Sequence, residues 1–214
     1  MLTNVYIDAF NLYYGALKGT PYKWLDLTKL CQLLLPKNQI QKIKYFTALV
    51  GSRPDHLGSD IRQMAYLRAL GTIPNVSVIK GHYLSHAVWM PTFDSYQSVL
   101  RKGGKVKFVR VLKTEEKGSD VNLATHLLHD GCKKEYGVAV IISNDSDLLE
   151  PVRIITQELK LPVGVINPGQ PHPSQVLLKA ATFFKTIRQG VLAASQFPAK
   201  MKDATGPFHK PASW

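Results

Sequence analysis

An α/β fold built on a mostly parallel sheet is what this sequence predicts, and two observations predict it. Short runs rich in Val, Ile and Tyr alternate with segments whose apolar residues recur at helical spacing, the order that produces strand–helix–strand units. The 214 residues are 45% hydrophobic and 20% charged, which suits one well-filled core and excludes a disordered chain.

The first run, NVYIDA at 4–9, is a strand that carries apolar and aromatic residues straight into Asp8. A helix at 26–34 follows, with Leu27, Leu30, Cys31 and Leu34 on one face. The second strand is expected at 41–50 (QKIKYFTALV), and a helix at 57–70 aligns Leu57, Ile61, Met64 and Ala65. Strands at 76–84 and 106–112 enclose 85–105, which reads as a loop running into LRKGGKVK. Next come a helix at 120–130 with Val121, Ala124, Leu127 and Leu128, and a strand at 138–143 (VAVIIS). A helix at 147–159 carries Leu148, Val152, Ile155 and Leu159, and PVGVI at 162–166 is the last expected strand. Residues 174–195 read as one further long helix. The aperiodic, Pro- and Lys-bearing tail at 196–214 either lies across the domain through Phe197, Phe208 and Trp214 or hangs free. The expected organisation is a main domain over 1–170, with a C-terminal helix and basic tail over 171–214 packed on it.

Charge and cysteine usage narrow the class. Lys and Arg outnumber Asp and Glu by 27 to 15, a net charge of +12, which favours an anionic partner such as nucleic acid. No apolar run approaches the roughly 20 residues of a membrane helix. The first strand begins so early that no signal peptide is expected, and the setting is read as cytoplasmic. Cys31 and Cys132 are too few and too far apart for a Cys-based metal site or a disulfide framework.

The acids are the informative feature. Asp8 ends the first strand, Asp120 opens a helix, and Asp145 and Asp147 follow the strand at 138–143. In an open parallel sheet, strand carboxyl ends and helix N-termini share one edge, where ligands bind. Two carboxylates about 5 Å apart repel by roughly 3 kcal/mol at an effective dielectric of about 20, so a cluster of them calls for a cation. Oxygen donors without Cys or His suit a hard ion, Mg²⁺ or Mn²⁺, able to activate water and neutralise a phosphate. Each acid has a plainer reading as well, since Asp8 or Asp120 alone could simply cap a helix.

YIDAFNLYYG, KGSDVNLATHLL and ISNDSDLLEPV together resemble the three signature blocks of the NYN domain, a branch of the PIN-like nucleases, and in particular its bacterial LabA-like group. The blocks span roughly residues 4–152 in matching order, and the ending KPASW is similar to tails of that group. The resemblance implies a Rossmann-like, PIN-like three-layer sandwich with a mostly parallel central sheet. It also implies RNA cleavage with Mg²⁺ or Mn²⁺ at an acidic cluster. Carried onto this chain, it places Asp8, Asp120 and Asp145 at the ion, Asn11 as support for Asp8 or a bound water, and Asp147 as a further ligand or a helix cap. A fourth acid from the middle of the chain is common in such sites, but Asp55, Asp60 and Asp94 stand in no convincing motif here.

Contacts to RNA are expected from Ser143 near the acids, which reaches a phosphate or a ligand carboxylate, and from Lys117 beside the Gly118 turn. Tyr13 and Tyr14 could stack on a base or pack in the core. Lys105 and Lys107 share a strand face in RKGGKVKFVRVLK, either as a backbone contact or as the protective lysines of an exposed strand. His126 and His129, three apart on a helix, read as surface and not as ligands. The reading is a metal-dependent ribonuclease, endonucleolytic, on single-stranded RNA, with a homodimer as one admissible assembly. A non-catalytic RNA-binding module and a metal-dependent phosphatase are the alternatives.

Overall fold

The computed structural model describes residues 1–51 and 57–214. Strand β1 (Leu2–Asp8) is buried on both faces apart from Leu2, and its side chains alternate between two cores: Val5 and Ile7 enter one, Tyr6 the other. The chain turns at Asp8 into the short helix α1 (Ala9–Leu12), which widens into a π turn through Leu17. In α2 (Leu27–Leu34), the Asp26 carboxylate caps the first turn by accepting the Thr28 and Lys29 N–H groups at 2.9 and 3.1 Å. All four residues of its expected apolar face are buried. Strand β2 (Gln39–Ala48) then pairs in parallel with β1.

Helix α3 (Ser59–Leu70) corrects the expected face. Leu57, Ile61 and Met64 are 74, 72 and 53% exposed, while Tyr66, Ala69 and Leu70 are buried. Polar anchors set this rotation. The Tyr66 hydroxyl donates to the Leu25 carbonyl at 2.9 Å, and Gln63 donates to the Ala48 carbonyl at 2.9 Å while accepting the Val50 N–H at 2.8 Å.

The segment expected to be a loop is instead an arm. Strand β3 (Val76–Pro91) pairs in parallel with β2 only as far as Gly81, then continues past the end of β2. It leads through α4 (Phe93–Lys102) to β4 (Phe108–Lys117), which returns antiparallel along His82–Pro91. None of residues 82–118 is buried, so a two-stranded arm of about ten residue pairs, roughly 30 Å at 3.4 Å per residue, leaves the sheet. Lys105 and Lys107 precede β4 at its far end and do not share a strand face.

Helix α5 (Ser119–Cys132) packs Leu123 and Leu127 inward and leaves Val121 69% exposed. Strand β5 (Val138–Ile142) pairs with β1. The expected helix at 147–159 is a continuous helical run of three parts: a 3₁₀ turn at Ser146–Leu148, α6 (Leu149–Arg153) and a π turn at Ile154–Glu158. It leads to β6 (Val163–Asn167). The single long helix expected at 174–195 is two short ones, α7 (Gln175–Ala180) and α8 (Gln189–Ala194), with strand β7 (Phe183–Thr186) between them. Phe183 and Phe184 pack towards opposite cores, which a strand permits and a helix would not.

The sheet order is β4-β3-β2-β1-β5-β6-β7, with every pairing parallel except β3 with β4. Helices cover both faces, completing a three-layer α/β sandwich. The tail lies across the domain: β8 (Lys200–Asp203) and β9 (Gly206–His209) form a hairpin, and Phe197, Phe208 and Trp214 ring the fully buried Trp24 at centroid distances of 5.9, 6.4 and 6.2 Å. Arg68 of α3 fastens the hairpin through two bonds to Asp203 at 2.7 and 2.8 Å. Among the described residues, no helix is long and apolar enough to cross a membrane.

Candidate metal centre

Strand pairing builds the centre. β1 and β5 are parallel neighbours with Ile7 opposite Ile142, so Asp8 and Ser143 leave the same sheet edge side by side. The Ser143 hydroxyl, fully buried, donates to Asp8 Oδ2 at 3.0 Å and accepts the Asp145 N–H at 3.1 Å. Of the two contacts expected of Ser143, the structure has the one to a carboxylate. Buried as it is, this hydroxyl offers nothing to a nucleic acid.

Asp8 is 5% exposed and also caps α1, its Oδ1 accepting the Asn11 N–H at 2.9 Å. Burial raises its carboxyl above the ordinary range; the Asn11 and Ser143 hydrogen bonds oppose this, and the Asp145 charge adds to it. The backbone of Asn11, not its side chain, therefore supports Asp8. Its amide oxygen instead accepts the Asn144 N–H at 3.0 Å and the Gln170 amide at 3.1 Å, tying the loop after β5 to the loop after β6.

Asp120 reaches the edge by a route different from the expected one. Strand β4 is antiparallel, but as the return limb of the arm it ends opposite His82, one residue past the end of the β2 pairing. Helix α5 thus starts at the shared edge. Its N-cap is Gly118 at φ +97°, and Glu116 accepts from both the N–H and the hydroxyl of Ser119 at 3.1 and 2.7 Å. With the cap made by other groups, the Asp120 side chain is left for the cluster. Gly81 permits this approach, because a Cβ there would lie 2.5 Å from the Lys117 carbonyl and 2.6 Å from the Glu116 carboxylate.

Asp8, Asp120 and Asp145 each bring a carboxylate oxygen within 4.8 Å of the others. Loss of solvation, followed by the charges of Asp8, Asp145, Glu116 and Asp147, raises the Asp120 carboxyl to about 6. Three hard oxygen donors that resist ionising together fit a divalent cation such as Mg²⁺ or Mn²⁺.

The remaining expected residues separate into near and far. Asp147 is exposed and outside the triad, and its N–H donates to Asp145 Oδ1 at 3.0 Å. Lys117 ends β4 beside the centre and pairs with Glu115 at 3.5 Å. Tyr13, half-buried, lines a cavity next to Asp8, whereas Lys105 and Lys107 are at the far end of the arm. His126 and His129 are occupied away from the centre, at 3.2 Å from Lys44 and 3.6 Å from Asp130. Asp60 and Asp94 are in the first turns of α3 and α4, outside the triad, and Asp55 lies outside the described residues. The mid-chain acid beside Asp120 is Glu116, which the sequence reading missed, although it stands in the EEKGSD phrase.

The comparisons with known proteins agree with the fold and divide on the chemistry. A crystal structure of a Vibrio parahaemolyticus protein of unknown function superimposes with a TM-score of 0.56 over 88% of this chain and 93% of that one, at 17% identity, a likeness of fold. A Pseudomonas putida protein named 6-hydroxy-3-succinoylpyridine 3-monooxygenase HspA is 32% identical across 99% of this chain and 75% of its own length. The NYN domain family model matches residues 2–188, and a match over that much of the chain, with the parallel sheet and the acid-lined edge, makes the protein a member of the NYN domain family.

Proposed function

We propose that this protein is a divalent-metal-dependent ribonuclease of the LabA-like branch, cutting phosphodiester bonds within single-stranded RNA in the cytoplasm. One observation carries the reading: three carboxylates from three separate elements converge within 4.8 Å at the ligand-binding edge of the sheet. A bound Mg²⁺ or Mn²⁺ would lower the pKa of water and neutralise charge on the phosphate. The chain's own groups hold and orient. Asp8 is locked by the Asn11 N–H and Ser143, Asp145 by its N–H bond to the same serine, and Asp120 is the exposed, readily protonated member. Lys117, beside the centre, is placed to meet a phosphate, and the arm supplies further positive charge along the strand.

The test is cleavage of a labelled single-stranded RNA with Mg²⁺, with Mn²⁺ and with chelator, for the wild type and Asp8→Asn. Metal-dependent cleavage lost in the variant supports the reading. Salt-sensitive binding without turnover in either metal would replace it with a regulatory RNA-binding module, and turnover of small phosphoesters alone would indicate a phosphatase.

The name of the Pseudomonas putida relative favours a second reading, hydroxylation of a hydroxypyridine. Such a reaction inserts one oxygen atom from O₂ and takes two electrons from a reductant. O₂ uptake dependent on 6-hydroxy-3-succinoylpyridine and a reduced nicotinamide, and retained in Asp145→Asn, would move the assignment to it.

A further inference from the structure

Beside Asp8, between α1 and α3, a cavity of about 240 Å³ opens at the same sheet edge. Its walls are aromatic: Phe10 and Tyr13 from the turn after β1, Tyr45 from β2, Tyr66 from α3, and Trp214 from the tail. That volume is below the range of about 300–1,000 Å³ typical of drug-sized ligands and suits one planar ring system with a short appendage.

Two features mark it as a binding site and not a packing gap. Tyr45 lines the cavity and is 7% exposed, and its hydroxyl, which is not among the fully buried atoms, makes no hydrogen bond among the described residues, so its donor and acceptor are free to meet a ligand. Among the described residues, the charged groups lining the cavity are Lys18, Lys23 and Arg62, all cationic, and none of them forms an ion pair with another described residue. Lys18 rests over the Tyr14 ring at 4.9 Å, and Arg62 donates one N–H to the Leu57 carbonyl at 2.9 Å, its other N–H groups making no hydrogen bond among the described residues. Stacking walls, an unpaired hydroxyl and three cations complement a heteroaromatic ring that carries an anion.

We propose that this cavity holds one nucleotide of the bound strand, with its base between the aromatic walls against the Tyr45 hydroxyl and its phosphate at Lys18, Lys23 and Arg62. The placement rests on the ribonuclease reading only in making this nucleotide a neighbour of the scissile phosphate at Asp8. Every base has a stacking face, so the walls accept any of them, and the Tyr45 hydroxyl reads the base edge.

The deciding measurement is calorimetric titration of the full chain, in chelator, with each of the four ribonucleoside 5′-monophosphates and with ribose 5-phosphate. At least one monophosphate is expected to bind about tenfold or more tighter than the sugar phosphate, a difference of about 1.4 kcal/mol. Tyr45→Phe keeps the ring and should cost that nucleotide severalfold in affinity, and Arg62→Gln should weaken nucleotide and sugar phosphate alike. Equal binding of ribose 5-phosphate, or unchanged affinity in both variants, overturns the proposal. A short oligonucleotide that displaces the monophosphate supports a strand nucleotide, and failure of every oligonucleotide to do so overturns that part in favour of a free nucleotide. Binding is read in chelator, where no cleavage is expected, so nucleotide binding there combined with no RNA turnover in Mg²⁺ or Mn²⁺ would count against the nuclease reading while leaving the cavity assignment standing.

Discussion

The acid-lined edge and the β3–β4 arm are joined at Gly81, yet they are built on opposite principles. At the edge, Asp8 and Ser143 are buried, and hydrogen bonds from Asn11 and Ser143 fix the Asp8 carboxylate. Along the arm nothing is buried: Trp89, Phe93, Leu100 and Leu112 are 68, 75, 67 and 74% exposed, and from His82 to Lys117 seven Lys and Arg face three acids. Repelling charges can be held together only where packing leaves them no alternative. A polyanion needs the reverse, an accessible positive surface that forms no site of its own. The chain separates the two tasks, and the arm's return limb is also what delivers Asp120 to the edge.

The sharpest way to break this comparison is at the edge. Asp145→Asn removes a charge from the triad without changing its shape, and cleavage of labelled RNA should fall about a thousandfold or more, ~4 kcal/mol of transition-state stabilisation, with the circular dichroism spectrum unchanged. Full activity in that variant would falsify the role given to Asp145. Next in size is the packed body that supports the edge. Trp24→Ala, at a fully buried ring contacted by Phe197, Phe208 and Trp214, should cost about 3–5 kcal/mol in urea unfolding.

On the arm, Lys105→Glu with Lys107→Glu should weaken RNA binding roughly tenfold and flatten its salt dependence by about one unit of slope for each phosphate no longer neutralised. An unchanged slope in a filter-binding series would remove the arm's far end from the footprint.

A smaller effect comes from proton linkage at the edge. The Asp120 carboxyl goes from 3.8 in the open chain to about 6 in the fold, so its contribution to stability is greatest below pH 3.8 and is lost as pH rises through 6. A divalent ion acts in the opposite sense, because it binds the ionised carboxylates. Mg²⁺ is therefore expected to raise the melting temperature by about 2–4 °C well above pH 6, for each kcal/mol of binding, and by little near pH 5. A metal-induced shift that does not change with pH would separate ion binding from these acids. The least effect is expected at Leu112→Ser on the arm, within about 0.5 kcal/mol of the wild type, since the side chain gives up no packing.

Much of the scaffold was legible along the chain. Helix α2 buries the four residues that its period marks, and Asp8, Asp120, Asp145 and Asp147 could be placed at one edge because they follow strands or open a helix, the family resemblance then marking the first three. Where reading failed, the missing information was a neighbour. Strand β3 extends to Pro91 because β4 pairs with it, and with both of its faces exposed there is no alternation to reveal the strand. The apolar stripe of α3 points outward because Tyr66 and Gln63 are fixed by Leu25, Ala48 and Val50. Phe183–Thr186 is a strand because β6 offers it an edge.

What the sequence determined by itself, then, was the alternation of strands and helices, the basic surplus and the identity of the clustered acids. All three follow from local period and composition, which are written residue by residue. Only the tertiary structure decided that Ser143 is bound to Asp8 from 135 residues away, that the Asn11 amide oxygen accepts from Asn144 and Gln170, and that Trp214 closes the wall of a cavity beside the centre. Such contacts depend on which strand edges pair and which faces pack, and no single stretch of chain contains both partners of a long-range contact.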